Sequence, residues 1–331
     1  MTTSVGSGIG SSLGFAAESP YGTFAASTRW VEFESESLTW VPKRMQGLGL
    51  YNGGQFQRDD TRVQTTETVN GDIKTAFYAK GMGLWLGNVF GGSATPVSTS
   101  GHYVQTHTWG DLYGHSLAIQ KGVPQLNGTI ERYNFLGNKV IETTFECGVD
   151  EYLMATFKVD GQTYEETSAY GSPTYLTANP PFSFNGATFK MGAYGSEVAV
   201  GGVRKFTLSI KRPLRVDNFY LDGTGLKHEP VMNGFAEITG TLETDYVDKT
   251  AFVDMFVADT AQSIVMQFLG PNIPSTSVPY SLTLNVPNVR WDADMPLVGG
   301  PDIVQPKMTF TYLYDLSHLP SAVYVNTDSS L

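Results

Sequence analysis

The sequence contains one cysteine, few charged residues and no long hydrophobic run. The single cysteine, Cys147, excludes an intramolecular disulfide framework and a thiolate-rich zinc site, and we expect it to be a small buried side chain in a strand. Charged residues make up 16% of the chain and the formal net charge is -11, so we do not expect the clustered Lys and Arg that grip a phosphate backbone. No stretch approaches the ~20 apolar residues of a membrane-spanning helix, and residues 1–14 lack the basic and apolar regions of a secretory signal. We therefore expect a protein that is made and kept in the cytosol and has no membrane segment.

Common catalytic signatures are also missing. The sequence has no Gly-x-Ser-x-Gly elbow, no phosphate loop ending in Gly-Lys-Ser or Gly-Lys-Thr, and no His-Glu-x-x-His helix. Residues 6–10 are glycine-rich like a dinucleotide-binding loop, but no strand pattern precedes them. His102 and His107 are five residues apart, which places them on opposite faces of one strand. Acidic pairs such as Asp59-Asp60 are typical of solvated loops. We therefore predict no enzyme, no cofactor and no metal site.

Alternating polar and apolar residues dominate the chain from Trp30 onward, which is typical of strands. Four short patterns occur in the same order in both halves, about 155 to 175 residues apart. They pair 31–41 with 206–217, 71–77 with 240–246, 116–119 with 281–284, and 154–157 with 308–311. After the second pattern each half has an apolar segment that predicts a short helix, at 80–90 and at 249–258, the latter with Asp248 as its N-cap.

This repeated order predicts a mainly β protein with two tandem domains, each with one short α-helix. We expect a Gly- and Ser-rich N-terminal arm at 1–28, a first domain at 29–168, a linker at 169–202 and a second domain at 203–331. The arm has little to bury and should become ordered only against a partner during assembly. Its candidate contact residues are Leu13, Phe15 and Tyr21.

Two further segments are candidate functional surfaces. Residues 42–68 form a long polar connection of weak periodicity, and such loops are usually functional or disordered. Trp40 lies beside this loop, and we expect it to face a partner subunit. The second surface is a wet strand face in each half. Its candidate residues are Asp72, Lys74, Glu237, Glu243 and Asp245.

The N-terminal region resembles a known family. Residues 13–14 (Leu-Gly), 18–23 (Glu-Ser-Pro-Tyr-Gly-Thr) and 30–38, which end in Ser-Glu-Ser-Leu, resemble the start of major tail tube proteins of long-tailed, siphovirus-type bacteriophages. The resemblance is to the larger, duplicated type with two domains. The order of elements extends it over nearly the whole chain, although the glycine-rich segment 80–90 and the second half depart from it.

The resemblance implies two tail-tube-like β-sandwich or half-barrel domains whose sheets join those of neighbouring copies in a closed, ring-shaped β-barrel. Three duplicated chains would form a pseudo-hexameric ring, and stacked rings would form the hollow tail tube through which DNA is delivered to the host cell. The ring-stacking loop would contain Trp40, Lys43, Arg44, Arg58, Asp59, Asp60 and Arg62. The residues of the wet strand face are candidates to line the lumen, where like charge would keep passing DNA from binding, and the alternative is that this face is an outer, solvated surface.

The resemblance also implies a virion protein of the phage tail that is synthesised in the cytoplasm of the bacterial host. Its partners would be further copies of itself and the tail-tip, tail-terminator and tape-measure proteins. Other classes remain open from the residues alone. Another virion ring or a capsid decoration protein would have a similar composition, and a hydrolase would use one of the acidic pairs. A glycan-binding β-sandwich would use a tryptophan platform drawn from Trp30, Trp40, Trp85, Trp109 and Trp291.

Overall fold

The computed structural model describes residues 5–92, 95–246, 249–293, 298, 300–301 and 303–331. Within these residues the protein is mainly β, with nineteen strands and two α-helices. The first half contains β1 (Ser12–Ala17), β2 (Arg29–Val31), β3 (Ser35–Glu36), β4 (Thr39–Gln46), β5 (Arg62–Ala76), α1 (Gly83–Phe90), β6 (Val97–Thr99), β7 (His102–Thr108), β8 (Leu117–Pro124), β9 (Ile130–Gly148), β10 (Met154–Gly161) and β11 (Thr163–Glu165). The second half contains β12 (Ala187–Gly192), β13 (Val198–Ala199), β14 (Val203–Lys211), β15 (Glu237–Thr244), α2 (Lys249–Val257), β16 (Gln262–Asn272), β17 (Pro279–Ala293), β18 (Lys307–Tyr312) and β19 (Ser321–Asn326).

One antiparallel sheet runs through both halves, and we call it the long sheet. Its strands follow the order β4, β5, β10, β9, β14, β15, β18 and β17. The two halves meet where β9 pairs with β14, with Phe145 opposite Leu208. Alternate side chains along these strands are buried, among them Phe157, Phe145 and Leu208, because they pack into the core on one side of the sheet. The other side of the sheet is polar.

The same strand pairings occur twice along the chain. In the first half β1 pairs with β2 and β8, β4 with β5, β5 with β10, and β9 with β8, β10 and β11. In the second half β12 pairs with β13 and β16, β14 with β15, β15 with β18, and β17 with β16, β18 and β19. Each half therefore has the same order of strands with the same neighbours. Among the described strands, β3, β6 and β7 are outside this correspondence; β3 pairs with β5, and β7 pairs with β6 and β19.

The predicted arm and the predicted linker both contain strands of the fold. The arm predicted at 1–28 includes β1, whose Leu13 and Phe15 are completely buried. The linker predicted at 169–202 includes β12 and β13, and β12 pairs with β16 over its whole length. Strand β1 was not predicted because its Ser, Gly and Ala residues are small enough to pack within a sheet as well as to remain in coil.

The predicted helices are present at 83–90 and 249–257. Every residue of α1 is buried, and Gly83 is explained by close packing, because a Cβ atom on it would lie 2.5 Å from Oε1 of Gln105. The ring of Trp85 stacks on Phe157 at 4.5 Å between centroids, which fixes α1 against the buried side of the long sheet. The predicted N-cap of α2, Asp248, lies outside the described residues.

Buried cations fasten the connection between β14 and β15, residues 212–236, onto the first half. Arg212 donates to the carbonyl oxygens of Val89 and Phe90 at the C-terminus of α1, and its guanidinium lies 3.7 Å from the centroid of the Trp109 ring. The Nζ of Lys227 lies 2.6 Å from the carboxylate of Asp160. A second ion pair joins Lys139 to Glu229 at 2.6 Å. This connection is therefore held against the body of the protein.

Candidate assembly surfaces

The uncovered side of the long sheet, which we call the polar face, carries hydroxyl groups and a nearly balanced set of charges. Directly opposed residues of neighbouring strands share a face, so the register places these side chains together. Its cations are Lys74, Lys158, Lys205, Lys211, Arg290 and Lys307, and its carboxylates are Asp72, Glu142, Glu146, Glu237, Glu243 and Asp292. Thr144, Thr156, Thr207, Ser209, Thr239, Thr241, Thr309 and Thr311 lie between them. From β5 to β17 these six cations balance the six carboxylates, and Lys43 of β4, opposite Thr66, adds one further cation on the same side, although the chain as a whole has a net charge of -11.

Many of these charges form cross-strand pairs. Lys211 lies 3.2 Å from Glu237, and Lys307 lies 3.6 Å from Glu243. Lys158 and Glu142 are 3.7 Å apart. The pairs are exposed, so each contributes only about 0 to 1 kcal/mol to folding. Their main effect is to compensate the charge of the carboxylates locally.

Four of the five residues predicted to line a channel lie together on this polar face. They are Asp72, Lys74, Glu237 and Glu243. Asp245 follows the end of β15 and pairs instead with Arg204 at 3.7 Å. The expectation of like charge is wrong for this face, because lysines on adjacent strands, which a reading of single strands does not show, alternate with the carboxylates.

The β4–β5 hairpin projects from one end of the long sheet. Its tip, residues 47–61, exposes large apolar side chains, and Leu50 and Phe56 are 102% and 85% exposed. Leu48 and Tyr51 are also exposed there. The residues predicted for this loop were its charged ones, and these apolar side chains were not among them, although four large apolar residues within nine positions of a glycine-rich loop indicate an interaction surface.

The charged residues predicted for this loop are distributed along the hairpin. Lys43 and Arg44 are exposed on β4, and Arg62 is exposed at the start of β5. Arg58 and Asp60 form an ion pair at the tip, next to the exposed Asp59. Trp40 lies farther from the tip, where it is half-buried, donates from Nε1 to Glu67 at 3.1 Å and packs against Tyr164 at 6.1 Å between ring centroids.

The residues predicted to form the assembly arm lie inside the protein instead. Leu13 and Phe15 belong to β1 and are buried in the core, and the Phe15 ring packs on Trp85 at 5.1 Å. The Tyr21 hydroxyl is buried without a hydrogen-bond partner, and its ring lies 5.9 Å from Nζ of Lys139. Burial raises the pKa of Tyr21 above its usual value, so this hydroxyl stays protonated. These three side chains are therefore not available to a partner in this conformation.

Two edges of the long sheet have no neighbouring strand among the described residues. One is the outer edge of β4, which pairs only with β5. The other is the end of β17, residues 290–293, on the side that β16 covers only as far as Val289. Unpaired strand edges present free N–H and C=O groups that can pair with another chain. The long sheet is therefore open at both sides.

An apolar cavity of about 220 Å³ lies at the end of the long sheet that is opposite the hairpin tip. Strand β5 runs from the hairpin to Ala76, which lies opposite Met154, the first residue of β10. The turn between β9 and β10 therefore lies at the end of the long sheet away from the hairpin. The cavity is lined there by Val149, Phe184 and Val203, among others, with Arg204 and Lys205 at the same place. Val149 and Phe184 are exposed.

No group of three His, Cys, Asp or Glu side chains within the described part of the chain could hold a metal ion. Cys147 is buried, and burial raises the pKa of its thiol to about 11. Trp30, Trp85 and Trp291 are also buried, so they cannot form the exposed aromatic platform that glycan binding would require. In the described residues, no helix is long and apolar enough to cross a membrane.

A sheet that is open at both edges and has an uncovered polar face is typical of a protein completed by further chains. The comparison with known families agrees with this class, since the chain matches the phage tail tube protein family over residues 8–312. The chain therefore belongs to the phage tail tube protein family, which supports a structural role in the tail tube. No curated protein matches the chain.

Proposed function

We propose that this protein polymerises as stacked rings into the hollow tail tube of a siphovirus-type phage, through which DNA reaches the host cell. The observation that carries the proposal is the long sheet, because it spans both halves and ends in two unpaired edges on opposite sides. Joining such edges between copies would close the sheet into a barrel, and closure removes the aggregation-prone edges. The family match supports the tube itself, and the ring and its closure are our inference.

The ring would contain three copies of the chain. The recurrence of strand pairings supports two domains of one fold per chain, so three chains would present six such units around the axis. The first unit would begin at β1 and the second at β12, and the boundaries proposed from the sequence move accordingly. The polar face would line the channel, because the other side of the sheet is covered by the core.

Rings would stack through the β4–β5 hairpin. Its apolar tip lies at one end of the long sheet, and the apolar cavity at Val149 and Phe184 lies at the other. A projection at one end and a recess at the opposite end suit a head-to-tail contact, which repeats without closing and so builds a tube. Leu50 and Phe56 would become buried in that contact, together with Val149 and Phe184.

The tube would work physically and not chemically. A nearly neutral lumen rich in Thr and Ser hydroxyls would offer DNA no cluster of cations, so DNA would pass without specific binding. The tail-tip complex would start the tube, a tape-measure protein would set its length, and a tail-terminator protein would end it. These partners follow from the proposed role in the phage tail.

Electron microscopy of the purified protein over a concentration series, with the mass measured on the same samples, tests this proposal. We expect hollow tubes or stacked rings at high concentration, and rings whose mass equals three chains. Discs that never stack would favour another virion ring, and rings of one or six chains would contradict the trimer. A monomer at every concentration, also after addition of preformed tail tips as nuclei, would overturn the proposal.

A further inference from the structure

The junction between the two halves shows how one unit joins the next. There β14 pairs with the outer side of β9, and Thr144 lies opposite Ser209 on the polar face. The backbone N–H of Arg212 donates to the carbonyl of Ile141 at 2.8 Å at the end of this pairing. Strand β8 pairs with one side of β9 only as far as residue 138, and β14 continues along that same side. Strand β10 covers the other side of β9.

The second half has the same strand in the same position, but its partner is missing. Strand β17 has β16 on one side only as far as Val289 and has β18 on the other side, as β9 has β8 and β10. The empty place beside the end of β17 is the one that β14 fills beside β9. The first-half strand that corresponds to β14 is β4, because β4 pairs with β5 as β14 pairs with β15. The outer edge of β4 is likewise unpaired among the described strands.

We propose that residues 290–293 of β17 pair antiparallel with β4 of a second copy, repeating between chains the junction that β9 and β14 form within one chain. This inference rests on the proposed ring and names the surfaces that close it. When the strand pairings of the first half are superposed on those of the second half, Val41 takes the position of Lys211 and Asp292 takes the position of Glu142. Val41 and Asp292 would therefore lie directly opposite each other on the polar face.

The backbone of β4 is suited to a short pairing at this place. The N–H of Ser37 donates to the carbonyl of Asp72, so the backbone N–H and C=O of Ser37 point towards β5. The backbone groups of every second residue after Ser37 point the same way. The N–H and C=O of Trp40 consequently point to the free edge. On one side of it, the N–H of Leu38 is taken by the Glu36 carboxylate at 2.9 Å, and on the other side Pro42 has no N–H. Trp40 is thus the residue of β4 whose N–H and C=O can both take part in the pairing, opposite Ala293, and its neighbours limit how far another strand can extend.

Cysteine crosslinking tests the pairing directly. Val41 and Asp292 are both exposed, and because the backbone of Val41 faces β5 they would form a non-hydrogen-bonded pair, where side chains of opposed residues are closest. We expect the double variant Val41→Cys with Asp292→Cys to form disulfides between chains on mild oxidation of assembled protein. Denaturing gels without reductant should then show covalent dimers and trimers, and no larger species, because the crosslinks close after three chains.

The structure provides matched controls for this experiment. Thr144→Cys with Ser209→Cys places the pair at the corresponding junction within one chain and should give only an intrachain disulfide. Thr68→Cys with Asp292→Cys moves one cysteine to the β5 residue opposite Val41, one strand farther from the edge, and should give no crosslink. Each single-cysteine variant controls for reaction with the buried Cys147.

The outcomes separate this inference from the proposed function. If tubes form but the Val41→Cys variant crosslinks no more strongly with Asp292→Cys than the Thr68→Cys variant does, the β17–β4 pairing is overturned and the proposed tube stands. A crosslinked ladder that continues to six chains would keep the pairing and contradict the ring of three. Absence of rings and tubes for the wild-type protein would instead overturn the proposed function, together with the inference that rests on it.

Discussion

His107 lies in β7 with both ring nitrogens buried and without a hydrogen-bond partner within the described residues. Burial lowers the pKa of this imidazole from its ordinary value of 6.5 to about 4, because no nearby group compensates a charge on the ring. Between these two values the unfolded chain binds a proton that the folded chain does not, so folding becomes less stable as the pH falls from 6.5 to 4. The loss from this one group can reach about 3 kcal/mol.

We expect the variant His107→Gln to lack this part of the pH dependence. The measurement is urea unfolding of the wild-type and variant proteins from pH 4 to pH 8, with the difference in free energy of unfolding plotted against pH. Because Gln does not titrate, the free energy of unfolding of the variant should rise relative to that of the wild-type protein as the pH falls below 6.5. A difference that stays constant with pH would show that His107 titrates normally. His115, which is more exposed, remains in both proteins and cancels in the difference.

Lys227 and Asp160 form an ion pair in which the lysine is completely buried. Burial alone raises the pKa of Asp160 and lowers the pKa of Lys227, while each charge acts in the opposite direction on its partner. Replacing Lys227 with Met should lower the free energy of unfolding by about 3 to 5 kcal/mol, because it leaves a buried carboxylate without a partner. Equilibrium unfolding in urea measures this cost.

The double variant Lys227→Met with Asp160→Leu distinguishes the cause. If the loss comes from an uncompensated charge, removing both charges should restore a large part of the stability. The double variant would be at least as unstable as the single one if the pair instead were needed to hold the connection 212–236 in place.

Strands and helices with strong periodicity could be predicted from the sequence, and the elements of small residues could not. Ile73 and Leu242 alternate with polar neighbours, so β5 and β15 were predictable, as were the apolar helices that follow them. Ser12–Ala17 is buried on both faces and so lacks alternation, and its small residues are equally typical of coil. The polar face depends on strand register across six pairings, which no single segment encodes. Its near balance of charge therefore became visible only in the sheet.

The tip of the β4–β5 hairpin should act in stacking and not in folding. Leu50 and Phe56 are exposed in the isolated chain, so Leu50→Ser with Phe56→Ser should leave the unfolding free energy within about 0.5 kcal/mol of the wild type. If the tip is buried between rings, the same variant should raise the protein concentration at which tubes form by 10-fold or more, since two large apolar side chains lose their burial. Sedimentation of tubes over a concentration series measures this threshold.

Leu221→Ser is the matched control for the hairpin. Leu221 is equally exposed and lies in the connection 212–236, which buried ion pairs hold against the body of the protein. We expect this control to leave the tube threshold unchanged. Equal effects of the control and the hairpin variant would show that general surface hydrophobicity, and not the hairpin, drives stacking.

At the scale of the whole molecule, charge is distributed unevenly. The chain has a net charge of -11, yet the polar face has about as many cations as carboxylates. The excess of negative charge therefore lies on other surfaces. A channel lined by this face would neither attract DNA strongly nor repel it strongly, and its local charge pairs would decide whether DNA is retained.

Removing carboxylates from the polar face should turn the channel into a site that holds DNA. Glu142, Glu237 and Glu243 each pair with a lysine, so changing all three to Gln leaves uncompensated lysines on every chain. Tubes assembled with short duplex DNA should then protect that DNA from nuclease, and protection should fall steeply as the salt concentration rises, because binding releases counterions. The triple variant Glu131→Gln, Asp150→Asn and Asp217→Asn changes the net charge equally at exposed sites outside the polar face and should protect no more DNA than the wild type. Equal protection by both variants would mean that the polar face lies outside the tube, and the assignment of the lumen would then have to be reversed.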